Sequence, residues 1–259
     1  MWCRASTTRA SAAGTNVSRH VLDRVSSTGT RAAQERFFVA PRRALILGSA
    51  CLLAVVLMAL AVPMAPLSVD KAWSDAMADI ASPVLKEVAL VFNALGRGLG
   101  WVLTLAAVAG LLLVRRRTVA FVAFAVAEAL SSLLSGLLKA LVGRPRPPGG
   151  VVHPVGSSFP SGHASYAAVT CIALVLLFTS PDRRARWWGL AAVGIAGMAW
   201  SRTYLQVHWL SDVIGGVVLG AGIVLVTFAA AQLLSSSDRS PAAELPVRHS
   251  PRGSTSPAS

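Results

Sequence analysis

Acidic side chains are scarce in this chain of 259 residues, where 11 Asp and Glu stand against 24 Lys and Arg for a formal net charge of +13. Charge of either sign is sparse as well: 14% of residues are charged and 54% hydrophobic. That balance excludes an ordinary soluble domain and implies a core built from membrane spans. The surplus of base does not point to nucleic acid, because Arg falls in short blocks between apolar runs, which is a topology signal and not a polyanion groove. Cysteine is nearly missing. Cys3 lies near the start and Cys51 and Cys171 lie in apolar runs, so neither a disulfide framework nor a zinc spacing exists. No metal-ligand set and no cofactor motif is present, and the chemistry is expected to survive a chelator. An apolar run just after the start is also lacking, which speaks against a secretory signal.

What is present divides into three parts. Residues 1–43 are rich in Ser, Thr, Ala and Arg, with Asp23 and Glu35 as their only acids, and read as a disordered basic cytosolic tail; an organelle transit peptide is the other reading of such a composition. Residues 44–234 contain the apolar runs. Residues 235–259 form a second Ser/Pro/Arg tail, also expected to be disordered. The fold class expected is all-α, an integral membrane bundle of six transmembrane helices at about 44–63, 98–114, 118–138, 164–179, 187–203 and 209–234, each near the length that crosses hydrocarbon. Between the first two, residues 64–97 mix Asp70, Lys71, Asp75, Asp79, Lys86 and Glu87 with apolar residues at helical spacing and break at Ser82-Pro83, which predicts an amphipathic helix or helix pair at the interface. Gly215, Gly216, Gly220 and Gly222 in the last run predict close helix approach.

Six spans place both termini on one side. The tails, Arg115-Arg116-Arg117 and the block around Arg183 share that side, which the positive-inside rule makes cytosolic. The loops after 138 and after 203 then face outward.

Those loops hold the polar residues of interest. Phe159-Pro160-Ser161-Gly162-His163 stands where a Gly/Pro loop meets an apolar run, so Ser161 is placed to cap a helix whose first amides can receive an anion. His163 in that mouth can bind an anion and hand it a proton. Upstream are Lys139, Arg144-Pro145 and Arg146-Pro147; downstream are Ser201-Arg202, His208 and Asp212. Taken singly, Lys139 is a snorkelling residue at a helix end, the arginines are membrane-flanking charge, Ser161-Gly162 is a cap, and His208 with Asp212 is an i, i+4 pair. Taken together, in order and at one membrane face, they read as a phosphate site.

The triple pattern Lys-x6-Arg-Pro, Pro-Ser-Gly-His and Ser-Arg-x5-His-x3-Asp resembles the type 2 phosphatidic acid phosphatase (PAP2) family, membrane lipid phosphatases related to the vanadium haloperoxidases. The resemblance implies that His208 is the nucleophile forming a phospho-histidine, with Asp212 orienting it and His163 as the acid for the leaving group. Lys139, Arg146, Arg202, Ser161 and Gly162 would bind phosphate. Arg144 is expected to meet either the headgroup layer or a second phosphate of a diphosphate. Ser201 either orients its neighbours or caps. Glu128, mid-span and on one face with Ser131, Ser132, Ser135 and Lys139, is either a hydrogen-bonded structural acid or part of a polar floor beneath the site.

The resemblance implies a lipid phosphate substrate in the bilayer. Candidates are a polyprenyl diphosphate, which the outward orientation favours, phosphatidic acid and phosphatidylglycerol phosphate. A phosphotransferase passing the phosphoryl group to an alcohol, and a non-enzymatic lipid-binding or transport protein, are the other classes compatible with the chain.

Overall fold

The computed structural model describes residues 36–62, 64–96, 98–179 and 183–237. They form eight helices, with no strand among the described residues: α1 (Pro41–Ala61), α2 (Ser68–Asp79), α3 (Pro83–Leu95), α4 (Gly98–Val114), α5 (Thr118–Val142), α6 (Gly162–Phe178), α7 (Arg184–Tyr204) and α8 (Leu210–Ser237). Local chemistry sets several boundaries. Ser82 caps α3, its hydroxyl accepting the Leu85 N–H at 3.3 Å with Pro83 at the first position, where a missing donor costs nothing. Gly143 ends α5 at φ 67°, and its N–H bonds to the Lys139 carbonyl.

By length and apolarity α1, α5 and α8 can each cross a membrane, and α3 with α4 makes a fourth candidate, bent by 55° at the break. Leu47, Leu57 and Leu60 of α1 and Leu133, Leu137 and Leu141 of α5 are exposed, an arrangement that hydrocarbon solvates and water does not. The chain is a multi-pass membrane protein. The six expected spans coincide with six of the helices, yet α6 has 17 residues and α7, with its Trp, Gly and Arg residues, is not apolar enough, so neither qualifies by itself. The amphipathic segment also differs from expectation. It does break at Ser82-Pro83 into two helices, but the second of them, α3, runs on into α4 as part of a bent apolar pair.

At the centre lies α6, packed by α5, α7 and α8, while α8 also lines α1. Close approach explains why Gly216 and Gly220 face α6: a Cβ on either would sit 2.3 Å from the Ser161 or Ser165 carbonyl oxygen. Small residues let two backbones touch where no hydrophobic force between helices operates. Phe124, Val169, Leu219, Ile223 and Phe228 fill the core at the other end.

The tail expected over 1–43 is shorter than that. Phe37 is buried, edge-on to Phe228 with ring centroids 5.0 Å apart, and the Phe37 and Phe38 N–H groups both donate to Gln232 Oε1 at 2.9 Å. At the other end α8 continues to Ser237. The rest of both tails, and with them the transit-peptide reading, lies outside the described residues.

Candidate active site

Lys139 and Arg146 are aimed by backbone. Past Gly143 the chain runs extended, and residues 156–158 fold back over the end of α5. There Lys139 Nζ donates to the Ser157 and Ser158 carbonyls at 2.9 and 3.0 Å. Arg146 donates through Nε to the Gly156 carbonyl (3.0 Å), through Nη2 to that of Ser157 (3.0 Å) and through Nη1 to that of Val207 (2.7 Å). Neutral carbonyls fix both cations without cancelling them, which leaves their charge available to an anion. Burial lowers the Arg146 pKa from its ordinary value, though a guanidinium remains charged.

His208 precedes α8. Its Nε2 lies 3.3 Å from Arg146 Nη1 and its Nδ1 lies 3.6 Å from Asp212 Oδ2. A guanidinium can only donate, so Nε2 is the acceptor and the ring proton sits on Nδ1, toward the carboxylate. Burial is the main reason that the His208 pKa is pushed down to about 4, outweighing the hydrogen-bonding and charge of Asp212, which act in the opposite direction. The ring is therefore neutral at pH 7. The expectation that the four-residue spacing works across a helix face needs correction: α8 starts at Leu210, and Asp212 reaches back over that start to accept the Trp209 N–H at 2.9 Å.

Arg144 meets neither the headgroup layer nor the cavity that holds Arg146. It is fully buried, donating through Nη1 to Asp212 Oδ1 (2.6 Å) and Ser211 Oγ (2.8 Å), and through Nη2 to Asp70 Oδ2 (2.7 Å). Asp70, also fully buried, accepts the Ser211 N–H and hydroxyl, both at 2.9 Å. A fully buried guanidinium requires such compensation.

Ser161 is the N-cap residue of α6, but its hydroxyl makes no cap bond and no other hydrogen bond within the protein. Instead its N–H donates to the Asp212 carbonyl at 2.9 Å, tying the Ser-Gly-His turn to α8. Gly162 opens the helix and His163 follows. Gly96, at the end of α3, fits against the His163 ring so closely that a Cβ there would lie 2.5 Å from Cδ2. Arg202 donates to Asn93 Oδ1 at 2.8 Å. Ser201 does not orient the cluster, since its hydroxyl donates to the Met198 carbonyl of its own helix at 2.8 Å.

These groups converge. A cavity of about 380 Å³ is lined by Asn93, Lys139, Arg146, Gly162, His163, Arg202 and His208. Glu128 lies elsewhere, buried in α5 and accepting the Thr170 hydroxyl at 2.8 Å. Reading by type and spacing found the cup, but it missed Asp70, Ser211, Asn93 and Gly96. Only the place of Asp70 at a helix start could have hinted at it.

Fold and site together define a helical membrane protein with a cationic cup holding two imidazoles. Residues 120–235 match the model of the PAP2 superfamily, the family that the three motifs resemble. A solved structure of a transmembrane PAP2-type phosphatidylglycerolphosphate phosphatase from Bacillus subtilis matches with a TM-score of 0.61 at 26% identity, over 73% of this chain and 96% of that one. The undecaprenyl-diphosphatase of Sulfolobus acidocaldarius is 42% identical over 71 residues, which are 27% of this chain and 32% of the relative. The chain thus matches about a third of the length of that curated relative. LpxE of Aquifex aeolicus aligns at 22% identity with a TM-score of 0.49, over 62% of this chain and 92% of that one.

Proposed function

We propose that the protein is a lipid phosphate phosphatase working through a phospho-histidine. The observation that carries this reading is the unprotonated Nε2 of His208 standing 3.3 Å from Arg146 Nη1 in the cavity that Lys139, Arg202 and His163 also line. With a terminal phosphate in the cup, Nε2 attacks phosphorus as the P–O bond to the lipid breaks. His163 gives its proton to the departing oxygen. Water then attacks the phospho-histidine while His163 takes its proton, releasing inorganic phosphate and neutral His208. Lys139, Arg146, Arg202 and the Gly162 amide stabilise charge on the equatorial oxygens. Asp212 holds the Nδ1 proton in place. Ser161, with its hydroxyl closed off from the cup, acts through its backbone tie to Asp212.

Six helices, α1 and α4 to α8, cross the bilayer in this account, both termini are cytosolic, and the cup faces the extracytoplasmic side. No metal ion enters a step. The likeness to the Sulfolobus enzyme supports a polyprenyl diphosphate substrate, and the fold of the Bacillus enzyme supports phosphatidylglycerol phosphate. The test is phosphate release by the purified protein from a panel of lipid phosphates, with and without chelator and an alcohol acceptor. The account expects metal-independent release of inorganic phosphate that the alcohol does not divert; transfer of phosphate to the alcohol would make the protein a phosphotransferase. Failure to hydrolyse any member would overturn the reading.

A further inference from the structure

Asn93 lines the cup beside Lys139, Arg146, His163, Arg202 and His208, although it comes from α3 and so precedes residues 120–235, the part of the chain that the family model covers. Its amide is held in one orientation. Arg202 Nη1 donates to Asn93 Oδ1 at 2.8 Å, and because a guanidinium accepts nothing, the oxygen must be the end turned toward it. Nδ2 is the other end, and it makes no hydrogen bond among the described residues. Two N–H donors thus stand on the cavity wall without a partner in the protein.

Three anchors fix the helix that carries this amide. The Tyr204 hydroxyl accepts the Ser82 N–H at 2.9 Å and donates to the Ser82 carbonyl at 3.1 Å, which ties the start of α3 to α7. Phe92 packs on Gly197 of α7, where a Cβ would come within 2.5 Å of the Phe92 Cζ, and Gly96 lies against the His163 ring. A donor set in place before the substrate arrives costs little to order.

Resting on the phosphatase reading above, we infer that Asn93 is a ligand of the transferred phosphoryl group: Nδ2 donates to one of its oxygens while Oδ1 holds Arg202 against the same group. An amide suits this place. Lys139, Arg146 and Arg202 already meet the charge of a phosphate dianion, and Gly96, about one turn further along α3, abuts His163. A fourth cation at position 93 would repel the proton that His163 has to carry, and a carboxylate there would repel the phosphate. A neutral donor adds a bond to an equatorial oxygen and does neither.

The test is a double-variant cycle on the binding of orthovanadate, a stand-in for the five-coordinate phosphoryl group, to the purified full chain at neutral pH. Wild type, Asn93→Ala, Arg202→Ala and the double variant are compared, with phosphate release from the lipid panel measured alongside. Asn93→Ala is expected to weaken vanadate binding by about tenfold, and by a similar factor where Arg202 is already alanine. A loss seen only while Arg202 is present would make Asn93 a support for that arginine, and undiminished binding would give it no role; either result overturns the inference while the phosphatase stands. Should either alanine variant fail to fold, Asn93→Asp decides, since it keeps the shape and the acceptor for Arg202 but loses both donors. Its binding should fall by at least about as much, and binding at wild-type strength would overturn the inference. A wild-type protein that neither binds vanadate nor releases phosphate would remove both readings.

Discussion

Arg144 Nη2 and Asp70 Oδ2 are 2.7 Å apart with both side chains withdrawn from solvent, although 74 positions of sequence separate them. Arg144 also holds Asp212 at 2.6 Å, so Asp70 neutralises a cation that would otherwise cancel the carboxylate facing His208. Asp70→Asn is expected to lower kcat by about ten- to a hundredfold and to move the acid limb of the pH profile to lower pH, as His208 becomes less basic. Asp70→Glu should recover part of both. Loss of folded protein with an unmoved limb would reduce Asp70 to a structural partner; breaking a buried pair costs about 3–5 kcal/mol, so melting is measured alongside.

Acid should be tolerated further than an ordinary imidazole allows. With the His208 pKa at about 4, the acid limb of kcat/KM belongs well below 6.5, and activity at pH 5.5 should stay within about twofold of its neutral value as far as this group decides it. The same shift works on stability. Between 6.5 and about 4 the unfolded chain binds the extra proton and the folded one does not, so this group's contribution favours unfolding progressively as pH falls through that window and is constant below it. Thermal melts in detergent across that range check the sign.

Gly96→Ala isolates the placement of His163. The φ of −93° at Gly96 suits alanine, so the new methyl acts only by crowding Cδ2 of the ring, 2.5 Å away, and Met198 Cε, 3.0 Å away. Turnover is expected to fall by about ten- to a hundredfold with KM nearly constant. Unchanged kcat would show that the ring adjusts freely.

Membrane orientation is tested by labelling. A cysteine at Arg116, in the turn between α4 and α5, should react with an impermeant maleimide only after the cytosolic face is opened, and a cysteine at Val155, 98% exposed beside the cup, should react from outside. The opposite pattern would invert the proposed topology.

Much of the cup was legible because its residues are specified by type and spacing: Lys139, Arg146, His163, Arg202 and His208 surround one cavity. What stayed hidden depends on tertiary placement. Charge cannot tell which arginine of Arg144-Pro145-Arg146-Pro147 turns inward, nor which acid among Asp70, Asp75 and Asp79 is buried. Spacing gave His208 and Asp212 as a pair, but a helix start and a helix face look alike at four residues. Gly96 was unreadable, since its role is defined by an imidazole from another helix. Span lengths read from apolar runs matched α4 closely, while the ordered Phe37 escaped because its partners, Gln232 and Phe228, lie at the far end of the chain.

The most direct measurement is covalent capture of the phosphoryl group. Rapid quenching in base of the protein mixed with a ³²P-labelled lipid phosphate should yield an acid-labile, base-stable phosphate mapping to the peptide that holds His208, absent in His208→Ala and longer-lived in His163→Ala. Label that persists in His208→Ala, or turnover that continues without that imidazole, would contradict the account.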